Sequence, residues 1–246
     1  MTKLVDLTQT FSIHSAPWPG YPYPIIKYIK RFSDYNIYGQ YIETPLHIST
    51  HLDAPMHYLW GGKDIASISL ERLYGQGVIV DVSEVGEWGI IKPHHVIDKV
   101  EVKEKDILIL HTGYHHFYEK DEIAYFMKHP GPDKEFAYWC LKMQFKCIGV
   151  DCGSADHPMN TGYIPRARAD LVKEFEEKMG KKLEEVFPRK EVHPMHALLF
   201  PHDIVHVENV GGDIDKLLNQ RVVLGIFPWK FVGGEAALCR IIAFID

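Results

Sequence analysis

Three histidines and an aspartate fall within one short stretch of the chain, His47-Ile-Ser-Thr-His51-Leu-Asp53-Ala-Pro55-Met-His57. Imidazole and carboxylate are hard or borderline donors suited to Zn²⁺, Mn²⁺ or Fe²⁺ rather than to thiolate-type copper sites. Backbone geometry limits how they can meet. A continuous helix would align His47 with His51 but turn Asp53 away, and Pro55 resists a helix interior. In an extended strand His51 and Asp53 share a face about 7 Å apart, close enough to converge on one ion, while His47 would lie about 13 Å from His51. The chain must therefore bend between His47 and His51, around Ser49-Thr50, which predicts a loop or strand-end site. A lone histidine in a half-buried strand is usually a hydrogen-bonded packing residue; this density of ligand types points instead to a metal.

A second segment, His196-Ala-Leu-Leu and then His206-Val-Glu208-Asn209, brings another histidine and carboxylate. Ile204–Glu208 reads as a strand with His206 and Glu208 on one face and Val205 and Val207 on the other. A carboxylate entering a sheet interior needs a partner, and a divalent ion is a sufficient one. The remaining candidates favour ordinary packing: His157, His193, His202 and His206, and Cys152 at a strand end. Trp60, close after His57, is a candidate pocket wall or a packing residue.

The elements that must position these groups are legible as short Val/Ile-rich runs: Leu4–Leu7, Val78–Val82, Ile107–His111, Cys147–Asp151, Ile204–Glu208, Val222–Phe227 and Ile241–Ile245. Several have the continuous apolar character of strands buried on both faces. Between them, helices are predicted over His94–Lys99 behind Pro93, Pro132–Phe145 by its amphipathic spacing, and Ala167–Met179 with Gly180 at its C-terminal cap. Strands alternating with helices, without repeats, indicate one α/β domain with a mixed sheet over residues 1–246. No linker divides it; the interval 156–194 reads as an insertion carrying one helix.

Composition excludes other classes. The formal net charge of -6 over 246 residues argues against nucleic-acid or anionic-membrane partners. The N-terminal residues resemble no signal peptide, no apolar run reaches the roughly 20 residues of a membrane span, and the four cysteines form no CxxC pair. The expected setting is the cytoplasm, with a small-molecule substrate.

The segment from His47 to His57 resembles the signature of the cyclase family, His-x-Gly-Thr-His-x-Asp-x-Pro-x-His, which includes bacterial kynurenine formamidases and isatin hydrolases. Ser49 stands where the family has Gly, and would be mildly strained if that position needs φ > 0. Asp6-Leu7-Thr8 with Pro17-Trp18-Pro19-Gly20, and His196 with Glu208 twelve residues on, are similar to the family's other motifs. The resemblance implies an α/β fold of the swivelling β/β/α type with a barrel-like β core flanked by helices. It implies His47 and His51 as ligands of a first ion, Asp53 as shared, His196 as ligand of a second ion and Glu208 as a second shared carboxylate. It further implies His57 as the acid/base, Trp18 as a substrate contact, one or two divalent ions per chain (zinc first, manganese next), and a homodimer or higher homo-oligomer. The expected reaction is hydrolysis of a C–N amide bond of a small aromatic substrate, arylformamidase-like. The alternatives are a cyclic-amide (isatin-type) or lactone hydrolase and a metal-containing binding protein.

Overall fold

The computed structural model describes residues 2–245; Met1 and Asp246, the ends of the expected domain, lie outside them. Its strands, in chain order, are β1 (Lys3–Asp6), β2 (Ile25–Lys30), β3 (Gly39–Glu43), β4 (His51–Asp53), β5 (Tyr74–Asp81), β6 (Ile90–Ile91), β7 (Ile107–His111), β8 (Gly131–Pro132), β9 (Cys147–Val150), β10 (Val205–Glu208), β11 (Gln220–Pro228) and β12 (Ala236–Ile245). Seven of them close a barrel in the order β12-β11-β5-β7-β9-β10-β4, with β4 returning to β12 and β1 pairing farther along the same edge of β12. β5, β7, β9 and β10 run parallel, whereas β4 and β11 run antiparallel to their neighbours, so the barrel is mixed.

Both faces of the central strands are buried, which is why their sequences read as uninterrupted apolar runs. Ile79, Ile107, Ile109, Val205, Val207, Leu224 and Ile241 fill the barrel. Their alternating neighbours Val78, Val80, Leu108, Leu110, Ile148 and Val150 pack outward against Phe136, Ala137 and Cys140 of helix Lys134–Met143 and against Met195 and Leu199 of helix Pro194–Leu199. Each such side chain contributes about 1.5–3 kcal/mol by leaving water. Gly77 on β5 permits the closure, since a Cβ there would sit 2.4 Å from the Ile107 carbonyl oxygen.

The predicted strands all form, with β5, β11 and β12 longer than expected. The helix expected over Pro132–Phe145 spans Lys134–Met143 because Asp133 caps it, accepting from the Phe136 N–H, while Pro132 pairs in β8. The one expected over Ala167–Met179 breaks at Arg168 (φ -131°, ψ 67°) into Ile164–Ala167 and Ala169–Met179, and Gly180 closes it in the left-handed conformation at φ 64°. The interval 156–194 packs on Trp88 through Met159, Ile164, Phe175 and Phe187. The hairpin β2–β3 is unforeseen: nearly all its side chains are exposed, so it lacks the polar–apolar alternation that marks a half-buried strand.

Candidate metal centre

β4 carries the first donors. It is hydrogen-bonded on both sides, with His51 opposite Glu208 and Asp53 opposite His206 on β10, and with Ala236 and Leu238 opposite on β12. Leu52, Val205, Val207 and Ala237 point into the barrel. Alternation therefore turns His51, Asp53, His206 and Glu208 to the outer wall, beneath helix Pro194–Leu199, whose His196 reaches down onto them.

The expected bend lies at Ser49, which adopts the left-handed conformation at φ 50°. Its carbonyl accepts from the Asn209 amide at 2.8 Å and from His51 Nδ1 at 2.9 Å. That second bond assigns the His51 tautomer and leaves Nε2 as the free donor atom. Asn209, held by the Tyr125 hydroxyl at 2.7 Å, also receives the Thr50 hydroxyl on its carbonyl at 2.6 Å, so the loop is pinned to the end of β10. The Trp18 N–H donates to the His47 carbonyl and brings the N-terminal segment alongside.

Two donor sets share Asp53. His47 Nδ1, His51 Nε2 and Asp53 Oδ1 lie 3.2, 3.1 and 3.4 Å from one another. On the other oxygen, His196 Nε2 lies 3.8 Å from Asp53 Oδ2 and 3.9 Å from Glu208 Oε1. Both Asp53 oxygens are buried and accept no hydrogen bond. Leaving a carboxylate so costs several kcal/mol unless a cation neutralises it. Arms of about 2.0–2.1 Å in a tetrahedron hold donors about 3.3 Å apart, close to the spacing of the first set. The residues present thus fit a divalent ion.

The electrostatics point the same way. Burial alone would raise Asp53, but the neighbouring imidazoles, His47 foremost, hold it well below the carboxylate range. Burial and the neighbouring Asp53 push Glu208 up to about 8, since two adjacent buried carboxylates cannot both ionise without a cation. Burial lowers His51 to about 4, so its ring is neutral. His196 is raised to about 10 against its burial by the Asp156 carboxylate, which accepts from its Nδ1 at 2.5 Å.

His57 follows β4 on the turn Pro55–His57, its ring 4.2 Å from that of His47. Its Nδ1 donates to Glu235 Oε2 at 2.8 Å, and His47 Nε2 donates to the same oxygen at 2.7 Å. His57 also lies within ligand distance of Asp53 and His47. Trp18, Tyr21, Tyr58, Arg166 and His193 wall a cavity of about 400 Å³ with His47, His57, His196 and Glu208 in its lining. Larger hollows of about 630 and 560 Å³ elsewhere contain none of the His/carboxylate clusters found among the described residues.

All the sequence-predicted site residues, Trp18, His47, His51, Asp53, His57, His196 and Glu208, come together here. Sequence reasoning missed the half-buried Glu235 and the fully buried Asp156, each set behind a histidine, because no local spacing links them to their partners. It also assigned His193 to packing; His193 lies in the cavity wall, and its Nε2 accepts from the Gly162 N–H at 2.7 Å. Trp60 neither packs nor walls the pocket: it is fully exposed. His157, His202 and Cys152 stand outside the cavity, and His206 lies behind His196 with both ring nitrogens unpaired.

The closed mixed barrel flanked by helices is the fold of a known group of proteins, and residues 5–157 match the model of that group. The chain belongs to the Cyclase family. It is 25% identical over 158 residues to a kynurenine formamidase of Bacillus anthracis, covering 63% of this chain and 71% of that one. It is 24% identical over 246 residues to a kynurenine formamidase of Erythrobacter litoralis, covering 98% and 93%. Its fold superposes on isatin hydrolase A of Ralstonia solanacearum with a TM-score of 0.79 at 18% identity, over 100% of this chain and 92% of that one. No helix among the described residues is long and apolar enough to cross a membrane.

Proposed function

We propose that the chain is a metal-dependent hydrolase that cleaves a C–N amide bond of a small aromatic substrate, with His47, His51, Asp53, His196 and Glu208 as ligands and His57 as the acid/base. The observation that carries this is Asp53: a buried carboxylate with no hydrogen-bond donor, set between two groups of donors at a cavity. When bound, zinc or manganese, as one or two ions, supplies Lewis acidity toward the carbonyl and hydroxide at neutral pH. The chain supplies the rest. Glu235 fixes the His57 tautomer, so its Nε2 is the atom free to take a proton from the attacking water and return it to the departing nitrogen. Trp18, Tyr21 and Tyr58 present rings to a flat substrate. Arg166 on the same wall suits a substrate carboxylate, which favours an N-formylkynurenine-like amide over an uncharged cyclic one. The isatin-type cyclic-amide or lactone reading rests on the shared fold. We take residues 1–246 as one functional unit, with 156–194 an insertion that lends Arg166 and His193 to the wall. We also propose a homo-oligomer formed through the exposed hairpin β2–β3, and a cytoplasmic setting in keeping with four buried free thiols.

Turnover of N-formylkynurenine against isatin by metal-replete enzyme decides the substrate. His57→Ala should lower turnover at least ~100-fold while bound metal stays, and Asp53→Ala should lose metal as well. Full activity in His57→Ala would end its role, and a metal-bound protein inert toward amides and lactones alike would leave only a binding protein.

A further inference from the structure

A second group of imidazoles and carboxylates lies at one rim of the barrel, sharing no residue with the Asp53 centre. Asp81 and His111 end the paired parallel strands β5 and β7, and Asp151 directly follows β9 beside them. Ile79 and Ile109, two residues earlier, point into the barrel, so Asp81 and His111 stand on the same side at its mouth. The turn Ile214–Leu217 closes this mouth with Ile214 and Leu217 in the core and brings Asp215 over His111.

The hydrogen bonds assign the tautomers. His115, on the short turn Tyr114–Phe117, donates Nδ1–H to Asp151 Oδ2 at 2.8 Å. Asp151 is fully buried and already receives the Thr112 N–H and hydroxyl and the Gly113 N–H, so it is fixed as an acceptor. His111 donates Nδ1–H to Asp81 Oδ1 at 3.1 Å, an oxygen that also takes the Ser83 N–H. In each neutral ring the lone pair is then on Nε2. These two Nε2 atoms face one carboxylate: His111 Nε2 is 3.0 Å from Asp215 Oδ1 and His115 Nε2 is 3.4 Å from Asp215 Oδ2. Each lone pair so aimed is repelled by the carboxylate unless the ring takes a second proton or a metal cation sits among the three groups.

A carboxylate behind each imidazole, fixing its tautomer and orientation, is the arrangement that supports histidine ligation of metals. The 3.0 and 3.4 Å separations match the roughly 3.3 Å between donors of a tetrahedral ion with arms of about 2.0–2.1 Å. His111 and His115 are buried while Asp215 is half-exposed, so an ion has a route from solvent. The exposed His116, with Nε2 3.5 Å from Asp215 Oδ2, stands beside the fourth position. Two imidazoles and one carboxylate select zinc-class ions over magnesium or calcium.

We propose that His111 Nε2, His115 Nε2 and Asp215 bind a divalent transition metal of the zinc class, tying β7 to the turn that closes the barrel. Zinc counted by mass spectrometry after dialysis, in wild type, Asp215→Asn, Asp53→Ala and the double variant, tests it. The content should fall by one ion per chain on Asp215→Asn in both backgrounds, whatever the Asp53 centre holds. Cobalt should give visible absorption bands in Asp53→Ala that vanish in the double variant. Equal zinc in wild type and Asp215→Asn, with no cobalt band to lose, would overturn the site and leave two protonated histidines paired with Asp215. Asp215 is half-exposed, so its amide variant keeps the fold, which circular dichroism checks.

Discussion

Glu235 accepts from His47 Nε2 and His57 Nδ1 on one oxygen, and these two bonds hold its carboxyl down at about 2 against the burial that would raise it. It lies outside the cavity lining, so its effect on a substrate passes through the rings it orients. Glu235→Gln keeps the shape but offers a weaker neutral acceptor. In the metal-replete enzyme kcat should fall about 10–100-fold with KM nearly unchanged; an unaltered kcat would remove Glu235 from the machinery. Ser49 shows a second residue-scale balance. A left-handed non-glycine residue costs about 1–2 kcal/mol, yet the Ser49 hydroxyl donates to the Gln9 carbonyl at 3.1 Å, returning about 1 kcal/mol that glycine could not. That offset explains how the bend persists with Ser where the family has Gly. The expectation of mild strain came from the local motif; the compensating bond spans forty residues and could not.

At the scale of elements, the donors on β4 and β10 were legible because side chains alternate with period two in any strand, whatever it pairs with. That β4 lies between β10 and β12, facing His196, depends on register, which no local pattern contains. The hairpin β2–β3 was not legible at all. An isolated two-stranded hairpin is marginal in water, and this one exposes Ile25, Tyr28, Ile29, Tyr41 and Ile42 with Phe32 and Tyr38 near its tip. The register puts Ile25 and Tyr41 on one face and Tyr28 and Ile42 on the other, and this much exposed apolar surface suits association. Ile29→Lys with Ile42→Lys should convert an oligomer to a monomer in size-exclusion light scattering without loss of secondary structure. A wild type already monomeric, or a variant of unchanged mass, would refute assembly through the hairpin.

For the whole molecule, two buried histidines away from the proposed ligands couple stability to pH. His129 donates Nδ1–H to the Pro130 carbonyl, and His157 donates Nε2–H to the Trp88 carbonyl while its Nδ1 accepts from the Met159 N–H. Burial lowers His129 to about 4 and His157 to about 3. Unfolded, both rings take a proton near pH 6.5; folded, they do not until the pH is far lower. Stability is therefore full above about pH 6.5 and is lost as the pH falls toward 4, by about 2 kcal/mol per ring between pH 7 and pH 5. Urea unfolding at the two pH values measures this, and His157→Gln should remove about half of the difference. An equal loss in that variant would show that other groups carry the effect.

What the sequence determined by itself was chemistry: the donor types, their spacing on β4 and β10, the forced bend at Ser49, and the alternation of strands and helices. These are properties of neighbouring residues, set by backbone geometry and side-chain period. What only the tertiary structure decided was convergence: the closed barrel, Asp53 between two donor sets, Glu235 and Asp156 behind their histidines, and the separate group at His111, His115 and Asp215. Those contacts join residues up to nearly two hundred positions apart, and they exist because burying both faces of the strands leaves one register in which the barrel closes.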